Sequence, residues 1–366
     1  MMYEPKMTLL DEERAILEGK EGETKAKMME VLVRYGDIFG ADRLLPLTYK
    51  KGHFVTSFGI SMLKPVYPLM DELIRSGLKA PDGFTMDPRP IDYKNCNAGP
   101  LEKLVFDHFV YGKQAFYEKQ LKAIGMKDMQ DFTCTCYLKE VGNTPKKGDV
   151  ISWSESSAVV FANSVLGARC NRNSGILDTF ATILGKTPNF GFTTEEGRKA
   201  KWEIVLKVKK LPEAQILGSA IGIKVQSEVP YVRGLDKFLK PLPDEDTIGY
   251  LKDFGAASAS NGAVGLYHIE GITPDALEKG ESLLKEDRQV YVIDDEELER
   301  VYKSYPMMWK KGNLKPHKAF IGCPHLTLKQ LLDWTNRMEE GLRRSGKKKL
   351  VVYTVFTAAP KVGDAF

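Results

Sequence analysis

Apolar residues recur at intervals of three and four along many stretches of this chain, which is the spacing of one face of an α-helix. Residues 8–40 hold two such stretches, the second with Met28, Val31 and Leu32 in phase. Further helices are predicted over residues 62–76, 101–124, 158–166, 244–257, 295–303 and 328–344.

Short runs rich in β-branched and aromatic residues separate the helical stretches and are typical of strands. Strands are predicted over residues 43–47, 131–137, 202–207, 215–223, 262–269 and 349–357. Residues 82–100 contain several prolines and glycines and are predicted to be mostly irregular. The alternation of strands with helices predicts an α/β fold with mainly parallel, buried strands.

The length of 366 residues exceeds what one small core holds, so we expect two or three α/β subdomains. The Pro- and charge-rich stretch 233–245 is the predicted linker. The 53 Lys and Arg residues are nearly balanced by 49 Asp and Glu, which leaves a net charge of +4. This excess is too small to indicate a nucleic-acid partner.

The amino terminus has acidic residues within its apolar stretch and therefore lacks the apolar core of a signal peptide. Elsewhere no apolar run approaches the ~20 residues that a bilayer requires. Five cysteines, an odd number, favour reduced thiols or metal ligands over a disulfide framework. The sequence thus predicts a cytoplasmic protein without a membrane partner.

The block WSESSAVVFANSVLGARCNR, residues 153–172, is unusually polar for a core segment. Its centre is predicted to be helical, and the serines before it resemble a helix cap whose N–H groups favour an anion. Arg169 and Arg172 follow, and Arg suits bidentate contacts with carboxylate or phosphate. The block therefore predicts an anion-binding site. The alternative is a capped helix whose two arginines form surface salt bridges.

Two cysteines and two histidines lie in suggestive surroundings. Cys134 ends a predicted strand, and Cys323 precedes Pro324 in a predicted turn beside His325, while His53 lies in a polar turn after a strand. No C-x-x-C pair is present, so metal ligation would need distant partners, and burial as small apolar residues is the alternative for both cysteines. A nucleophilic Cys323 assisted by His325 is a further, weaker hypothesis.

Several sequence motifs together resemble those of the large, catalytic subunit of aconitase X, in the aconitase superfamily. They are TCT at residues 133–135, the block at 153–172, GAASASNGAVGLYHIEGITPDA at 255–276 and GCPHLT at 322–327. They cover most of the chain, and the serine-rich block is highly specific. No P-loop, G-x-G-x-x-G turn or G-x-S-x-G elbow is present.

The resemblance implies aconitase-like, layered α/β subdomains and a hydro-lyase that removes water from a small hydroxy acid, such as cis-3-hydroxy-L-proline or mevalonate 5-phosphate. It implies an iron–sulfur cluster or mononuclear iron as the Lewis acid, with Cys134 and Cys323 matching cluster cysteines. Glu155 and Ser156 match catalytic positions. Residues expected at the substrate are His53, Ser57, Asn163, Arg169, Asn171, Arg172 and His325.

The chain departs from the family at three points. The family supplies a third cluster cysteine after the segment corresponding to 349–357, which this sequence does not show; Cys136 and Cys170 replace the usual Pro and Thr. The small swivelling domain is not recognisable, so we expect a separately encoded small subunit. A degenerate, non-catalytic relative that binds a small anion or a partner protein is the alternative.

Overall fold

The computed structural model describes residues 3–55, 64–306 and 316–366. The chain divides into two compact units. The first unit comprises Met1–Cys136, Pro145–Glu155 and Ala168–Gly197, and the second comprises Tyr137–Thr144, Ser156–Gly167 and Arg198–Phe366. Helices and strands alternate in both, so the predicted α/β class is confirmed.

Helices are numbered in chain order across the described residues. They are α1 (Asp11–Leu17), α2 (Glu23–Ile38), α3 (Val66–Arg75), α4 (Pro100–Val105), α5 (Gln114–Ala123), α6 (Ser156–Phe161), α7 (Gly175–Leu184), α8 (Ala214–Val225), α9 (Glu245–Gly262), α10 (Pro274–Lys279), α11 (Asp295–Ser304), α12 (Leu328–Ser345) and α13 (Pro360–Ala365). Each helix among these is too short or too polar to cross a bilayer.

Strands are numbered in the same way. They are β1 (Leu44–Pro46), β2 (Gly52–Phe54), β3 (Phe84–Met86), β4 (Lys186–Pro188), β5 (Ala200–Lys207), β6 (Pro230–Arg233), β7 (His268–Ile269), β8 (Leu284–Asp294), β9 (Lys318–Leu326) and β10 (Tyr353–Ala358). The pairs that they form are parallel except for β1 with β4.

A narrow parallel strip organises the first unit. β2 pairs with β3, and single parallel bridges add Trp153 beside His53 and Phe132 beside Met86. A further parallel bridge joins Val150 to Arg169. Because all these segments run in the same direction, their carboxyl ends lie at one edge, where α/β proteins commonly bind ligands. A core that includes residues of α3, α5 and α7 packs around the strip.

The second unit is built on a four-stranded parallel sheet in the order β7-β6-β5-β8. β5 alternates buried and less buried residues along its length. β9 and β10 form a separate parallel pair. The segment 233–245, predicted to be a linker, lies inside this unit and connects β6 to α9.

Residues 215–223, predicted to be a strand, form helix α8 instead. Small residues let α8 lie directly on the backbone of α9. A Cβ on Gly218 would be 2.4 Å from the carbonyl oxygen of Phe254, and one on Gly222 would be 2.6 Å from that of Ser258. Most of the run is buried, and Ile223 on its exposed side is apolar too, so the helical period is concealed.

The helix predicted over residues 101–124 is interrupted. α4 continues as one π-helical turn, Phe106–Val110, and a turn separates it from α5. A Cβ on Gly112 would lie 2.9 Å from the carbonyl oxygen of His108, so the tight chain reversal there depends on glycine. The apolar spacing continues across this break.

Two predicted strands are mostly not strands. Within residues 131–137 only Phe132 makes a bridge, and the Thr135 N–H bonds to the Thr133 hydroxyl at 3.0 Å. Such local side-chain bonds compete with strand pairing. Residues 262–269 contain only β7, because α9 extends to Gly262 and ends at Ala263 with a positive φ of 64°.

The remaining predictions differ from the structure in smaller ways. The helices within 8–40 and over 158–166, 244–257, 295–303 and 328–344 are present, the second as α6 followed by a π-helical turn. The irregular stretch 82–100 contains β3. β1 is antiparallel to β4, and only its first residue is buried. The helix at 62–76 begins at Val66; its predicted residues 62 and 63 lie outside the described residues.

Candidate active site

Polar side chains gather at the carboxyl edge of the strip in the first unit. Glu155 follows the Trp153 bridge, and Cys134 follows the Phe132 bridge. His53 lies within β2 itself. Parallel alignment therefore brings together residues that are about a hundred positions apart in the sequence.

His53 is fully buried in β2 and does not occupy the polar turn that the sequence predicted. Its Nδ1 lies 2.8 Å from the hydroxyl of Thr85 on the adjacent strand. Its Nε2 lies 3.6 Å from a carboxylate oxygen of Glu155 and makes no hydrogen bond within the described residues. The imidazole is thus held on one side and directed towards a carboxylate on the other.

Backbone hydrogen bonds fix Glu155 relative to His53. The Ser154 N–H donates to the carbonyl of His53 at 3.0 Å, and the Ser154 hydroxyl accepts from the N–H of Val55 at 2.9 Å. Ser154 therefore joins the carboxyl end of β2 to the carboxyl end of the segment that contains Trp153. The Glu155 side chain keeps 13% of its surface exposed, so part of it is reachable from solvent.

Two thiols flank this edge but differ in chemistry. Cys134 is half-buried. Cys136 is fully buried, and burial, then the charge of Glu155, raises the pKa of its thiol well above the usual value. A thiol held neutral is a poor metal ligand, so Cys134 is the better donor of the two.

The segment after Arg169 makes specific contacts. The guanidinium of Arg169 forms an ion pair with Glu195 and donates to the carbonyl of Thr193 at 3.3 Å. Asn171 donates to the carbonyl of Phe190 at 2.8 Å and accepts from the N–H of Phe192. Arg169 thus makes the kind of salt bridge that the sequence left open as the alternative, and Asn171 holds the neighbouring loop. Arg172 is exposed.

Other predicted site residues lie in the second unit. Ser156 begins α6, and Asn163 is buried in the π-helical turn that follows. The side-chain amide of Asn163 donates to the backbone carbonyl of Gly265 at 2.9 Å. The backbone carbonyl of Asn163 accepts from the Arg198 guanidinium at 2.9 Å. Within the described residues, these hydrogen bonds of Asn163 are to other parts of the protein.

Arg198 is the centre of a buried polar network that the sequence analysis missed. It donates to Asp275 at 2.8 Å, and its carbonyl lies 2.8 Å from Nε2 of His268. Burial lowers the pKa of His268 to about 4. His268 lies in the segment YHIEG, within one of the motifs that carry the family resemblance.

Cys323 and His325 lie within the bounds of β9, in an irregular stretch of its ladder with β10: Ile321 pairs with Phe356 and Leu326 with Ala358, so the residues between them are bulged out of the pairing. Cys323 is exposed. Burial, with a contribution from the Lys252 ammonium, lowers the pKa of His325 to about 4, so its imidazole is neutral near pH 7. Ser57 lies outside the described residues.

Comparison with known proteins gives this geometry a family. The model named "Aconitase X first domain" matches residues 6–196, and "Aconitase X second domain" matches residues 199–303. The chain belongs to the aconitase X family. Its structure resembles the crystal structure of Thermococcus kodakaraensis aconitase X in the holo-form, with a TM-score of 0.79 and 32% identity over 98% of this chain and 83% of that one.

The similar proteins include two kinds of dehydratase. The "Phosphomevalonate dehydratase large subunit" of Thermococcus kodakarensis is 34% identical over 98% of this chain and 84% of its own length. The "Cis-3-hydroxy-L-proline dehydratase" of Hypocrea jecorina is 28% identical over 88% of this chain and 52% of its own length. The prediction of a hydro-lyase, a dehydratase of the aconitase X type, is confirmed. The comparisons thus favour this chemistry over a nucleophilic Cys323.

Membership of the aconitase X family implies an iron-based cofactor, which Cys, His, Asp or Glu side chains would hold. Across residues 3–55, 64–306 and 316–366, no three Cys, His, Asp or Glu side chains are grouped to hold a metal ion. The three segments outside these ranges contain none of the four residue types. The described residues therefore do not by themselves form a complete protein-ligated iron centre.

Proposed function

We propose that this chain is the large subunit of a dehydratase that removes water from mevalonate 5-phosphate, and that a separately encoded small subunit completes it. The first support is the name and coverage of the relatives. Five relatives named phosphomevalonate dehydratase large subunit are 30–34% identical to this chain, which spans 74–84% of their length.

The share of the hydroxyproline dehydratases that this chain matches also supports the two-subunit arrangement. This chain spans 52% of the Hypocrea enzyme and 44% of the Pseudomonas aeruginosa enzyme. The match thus covers only about half of each of those proteins. A large subunit that works with a separate small protein is consistent with both comparisons.

The observation that carries the chemical part of the proposal is the His53–Glu155 pair at the carboxyl edge. A dehydratase must take a proton from carbon and deliver one to the departing hydroxyl, and both steps need a group that can hold a proton. The Thr85 hydroxyl fixes the imidazole, and the imidazole faces the carboxylate of the partly exposed Glu155 side chain. We assign Glu155 to proton transfer and His53 to orienting that carboxylate.

The other predicted roles differ in their support. Arg172 is exposed in the segment that follows the carboxyl edge and suits the phosphate or carboxylate of the substrate. Arg169 would have to leave Glu195 to bind it. Asn163, Ser156, Ser57, Asn171 and His325 stay predictions, as do Cys134 and Cys323 as thiolate donors to iron.

Reconstitution tests the proposal. The chain is combined anaerobically with the candidate small subunit and iron, and the dehydration of mevalonate 5-phosphate is compared with that of cis-3-hydroxy-L-proline. We expect turnover of the phosphate ester. Glu155→Gln should lower kcat by ~100-fold or more, the usual contribution of a general acid or base. Glu21→Gln, at an exposed carboxylate of the same unit, should leave kcat unchanged.

Turnover of hydroxyproline alone would contradict the substrate assignment. Full activity of Glu155→Gln would contradict the role of the carboxylate. Full activity of the chain without any partner would contradict the two-subunit proposal.

A second candidate function is a non-catalytic relative that binds a small anion or a partner protein. It is favoured by the lack of a three-ligand group among the described residues. Iron and sulfide analysis after anaerobic reconstitution separates the two functions. A two-subunit complex that retains no iron and dehydrates neither substrate would support the non-catalytic candidate.

A further inference from the structure

We propose that Thr85 is a positioning residue that decides which nitrogen of His53 carries a proton, and that it leaves a protonated Nε2 directed at Glu155. The inference rests on the proposed proton transfer by Glu155 and deepens it, because it states the form in which that carboxylate is held. Two contacts of the imidazole carry the argument, one on each side of the ring.

Strand pairing and packing fix the orientation of the imidazole. His53 and Thr85 are register partners in the parallel pair of β2 with β3, and neither residue is exposed. The ring packs edge-on against Trp153, with the centroids 5.7 Å apart and the planes at 70°. A half-turn of the ring would exchange each nitrogen with a carbon and remove the contacts with both Thr85 and Glu155. Only the position of the proton is therefore left to be decided.

The hydroxyl of Thr85 can bond to Nδ1 in two ways, and the distance of 2.8 Å suits both. It donates its single proton to Nδ1, which places the proton of a neutral imidazole on Nε2, or it accepts from a protonated Nδ1. In the second arrangement the hydroxyl proton must find another acceptor. The Gly52 carbonyl oxygen is 3.4 Å away, which is long for an O–H donor, and the nearby Cys136 sulfur is a weak acceptor. The first arrangement is thus better hydrogen-bonded.

The other side of the ring favours the same arrangement. Nε2 of His53 lies 3.6 Å from a carboxylate oxygen of Glu155 and makes no hydrogen bond within the described residues. An ionised carboxylate only accepts, so it attracts an N–H group and repels a nitrogen lone pair. At this distance the attraction is electrostatic and is not a hydrogen bond. A proton on Nε2 therefore suits both neighbours of the imidazole, whereas a proton on Nδ1 suits only Thr85.

This tautomer prepares Glu155 for its proposed role. An N–H group interacts favourably with an ionised carboxylate, and the ionised form is the one that receives a proton. The bond from the Ser154 N–H to the His53 carbonyl holds the two segments together. Thr85 thus acts on Glu155 through His53, as the hydrogen-bond partner of a metal-bound histidine sets the tautomer of that histidine in metalloproteins.

Nitrogen magnetic resonance of the full chain with isotope-labelled histidine tests the tautomer, because a protonated ring nitrogen and one with a lone pair differ in chemical shift. The chain contains five histidines, and His53 is identified by the signals missing from His53→Gln. We expect Nε2 to carry the proton and Nδ1 to be an acceptor. Thr85→Val removes the hydroxyl and should abolish this preference, whereas Thr85→Ser should keep it. The control Thr187→Val, at a buried threonine of β4, should leave the His53 signals unchanged.

The wild-type spectrum alone can overturn the inference. A His53 whose Nδ1 is protonated, in the other tautomer or in an imidazolium, contradicts it without the use of any variant. A Thr85→Val chain that is folded by circular dichroism and keeps the wild-type tautomer contradicts it as well, because the hydroxyl would then not be what selects the proton position.

Turnover by the reconstituted two-subunit complex tests the consequence for catalysis. Thr85→Val should lower kcat by ~10–100-fold, a typical effect of removing a group that orients a functional histidine, and Thr85→Ser should retain most of the activity. In the His53→Gln background Thr85→Val should have no further effect, because the hydroxyl acts through the imidazole. A further loss in that background overturns the inference. A wild-type complex that shows the expected tautomer and does not dehydrate mevalonate 5-phosphate contradicts the proposed function alone.

Discussion

The same substitution, glycine to alanine, should have opposite effects at two helical positions of the second unit. Gly222 lies in α8 against α9, and Gly341 lies in α12. A Cβ on Gly222 would be 2.6 Å from the carbonyl oxygen of Ser258 and 3.1 Å from its Cα. A Cβ on Gly341 would have no neighbour within 4 Å.

The magnitudes follow from two competing terms. Alanine is favoured over glycine inside a helix by ~1 kcal/mol, which applies at both positions. At Gly222 the added methyl meets backbone, so the two helices must separate, and such overpacking costs about 1–3 kcal/mol. We expect Gly222→Ala to lower the free energy of unfolding by up to ~2 kcal/mol, and Gly341→Ala to raise it by up to ~1 kcal/mol.

Urea unfolding followed by circular dichroism and tryptophan fluorescence measures both variants. Trp202 reports on this region, because Lys224 of α8 lies 5.6 Å from its ring centroid. Both substitutions are in the second unit, so the comparison does not depend on how the first unit unfolds. If Gly222→Ala is as stable as Gly341→Ala, the close packing of α8 on α9 is not what requires glycine there.

Two further predictions concern titration and thiol access. Because burial lowers the pKa of His268 to about 4 from an ordinary value of 6.5, the unfolded chain binds more protons than the native chain between these values. The free energy of unfolding should therefore fall as the pH decreases from 6.5 to 4, and His268→Gln should reduce this fall. Brief treatment with iodoacetamide at pH 7.5 should modify the exposed Cys323 first. It should spare Cys136 and Cys170, which are buried and whose thiol pKa values burial raises. Mass spectrometry of the alkylated peptides measures the order, and modification of Cys136 or Cys170 before Cys323 would contradict the prediction.

Prediction from the sequence was accurate where the amphipathic pattern was strong. α11 and α12 each present one apolar face, and their predicted bounds are close to the observed ones. α8 shows the limit, because most of it is buried and its exposed side carries the apolar Ile223, so hardly any polar face reveals its period. Its glycines also look like strand or turn residues until the contact with α9 is known.

Residues of the candidate site were predicted unevenly for a related reason. The motif words located Glu155 and Cys134, since each stands in a distinctive segment. They could not show that Thr85, in a stretch predicted to be irregular, holds the His53 imidazole. That contact depends on the parallel pairing of β2 with β3, whose residues are about thirty positions apart, and nothing local in the sequence specifies such a pairing.

The polar block at residues 153–172 is divided between the two units. Its ends, Trp153–Glu155 and Ala168–Arg172, belong to the first unit, while Ser156–Gly167 belongs to the second. Asn163 and Ser164 bond to backbone within the second unit, which explains the polarity of the middle by structure. Glu155 faces a buried imidazole at 3.6 Å, and that contact does not serve packing alone. The chemistry is therefore expected at the first end of the block, and Glu155→Gln should affect turnover far more than stability, whereas Asn163→Ala should do the reverse.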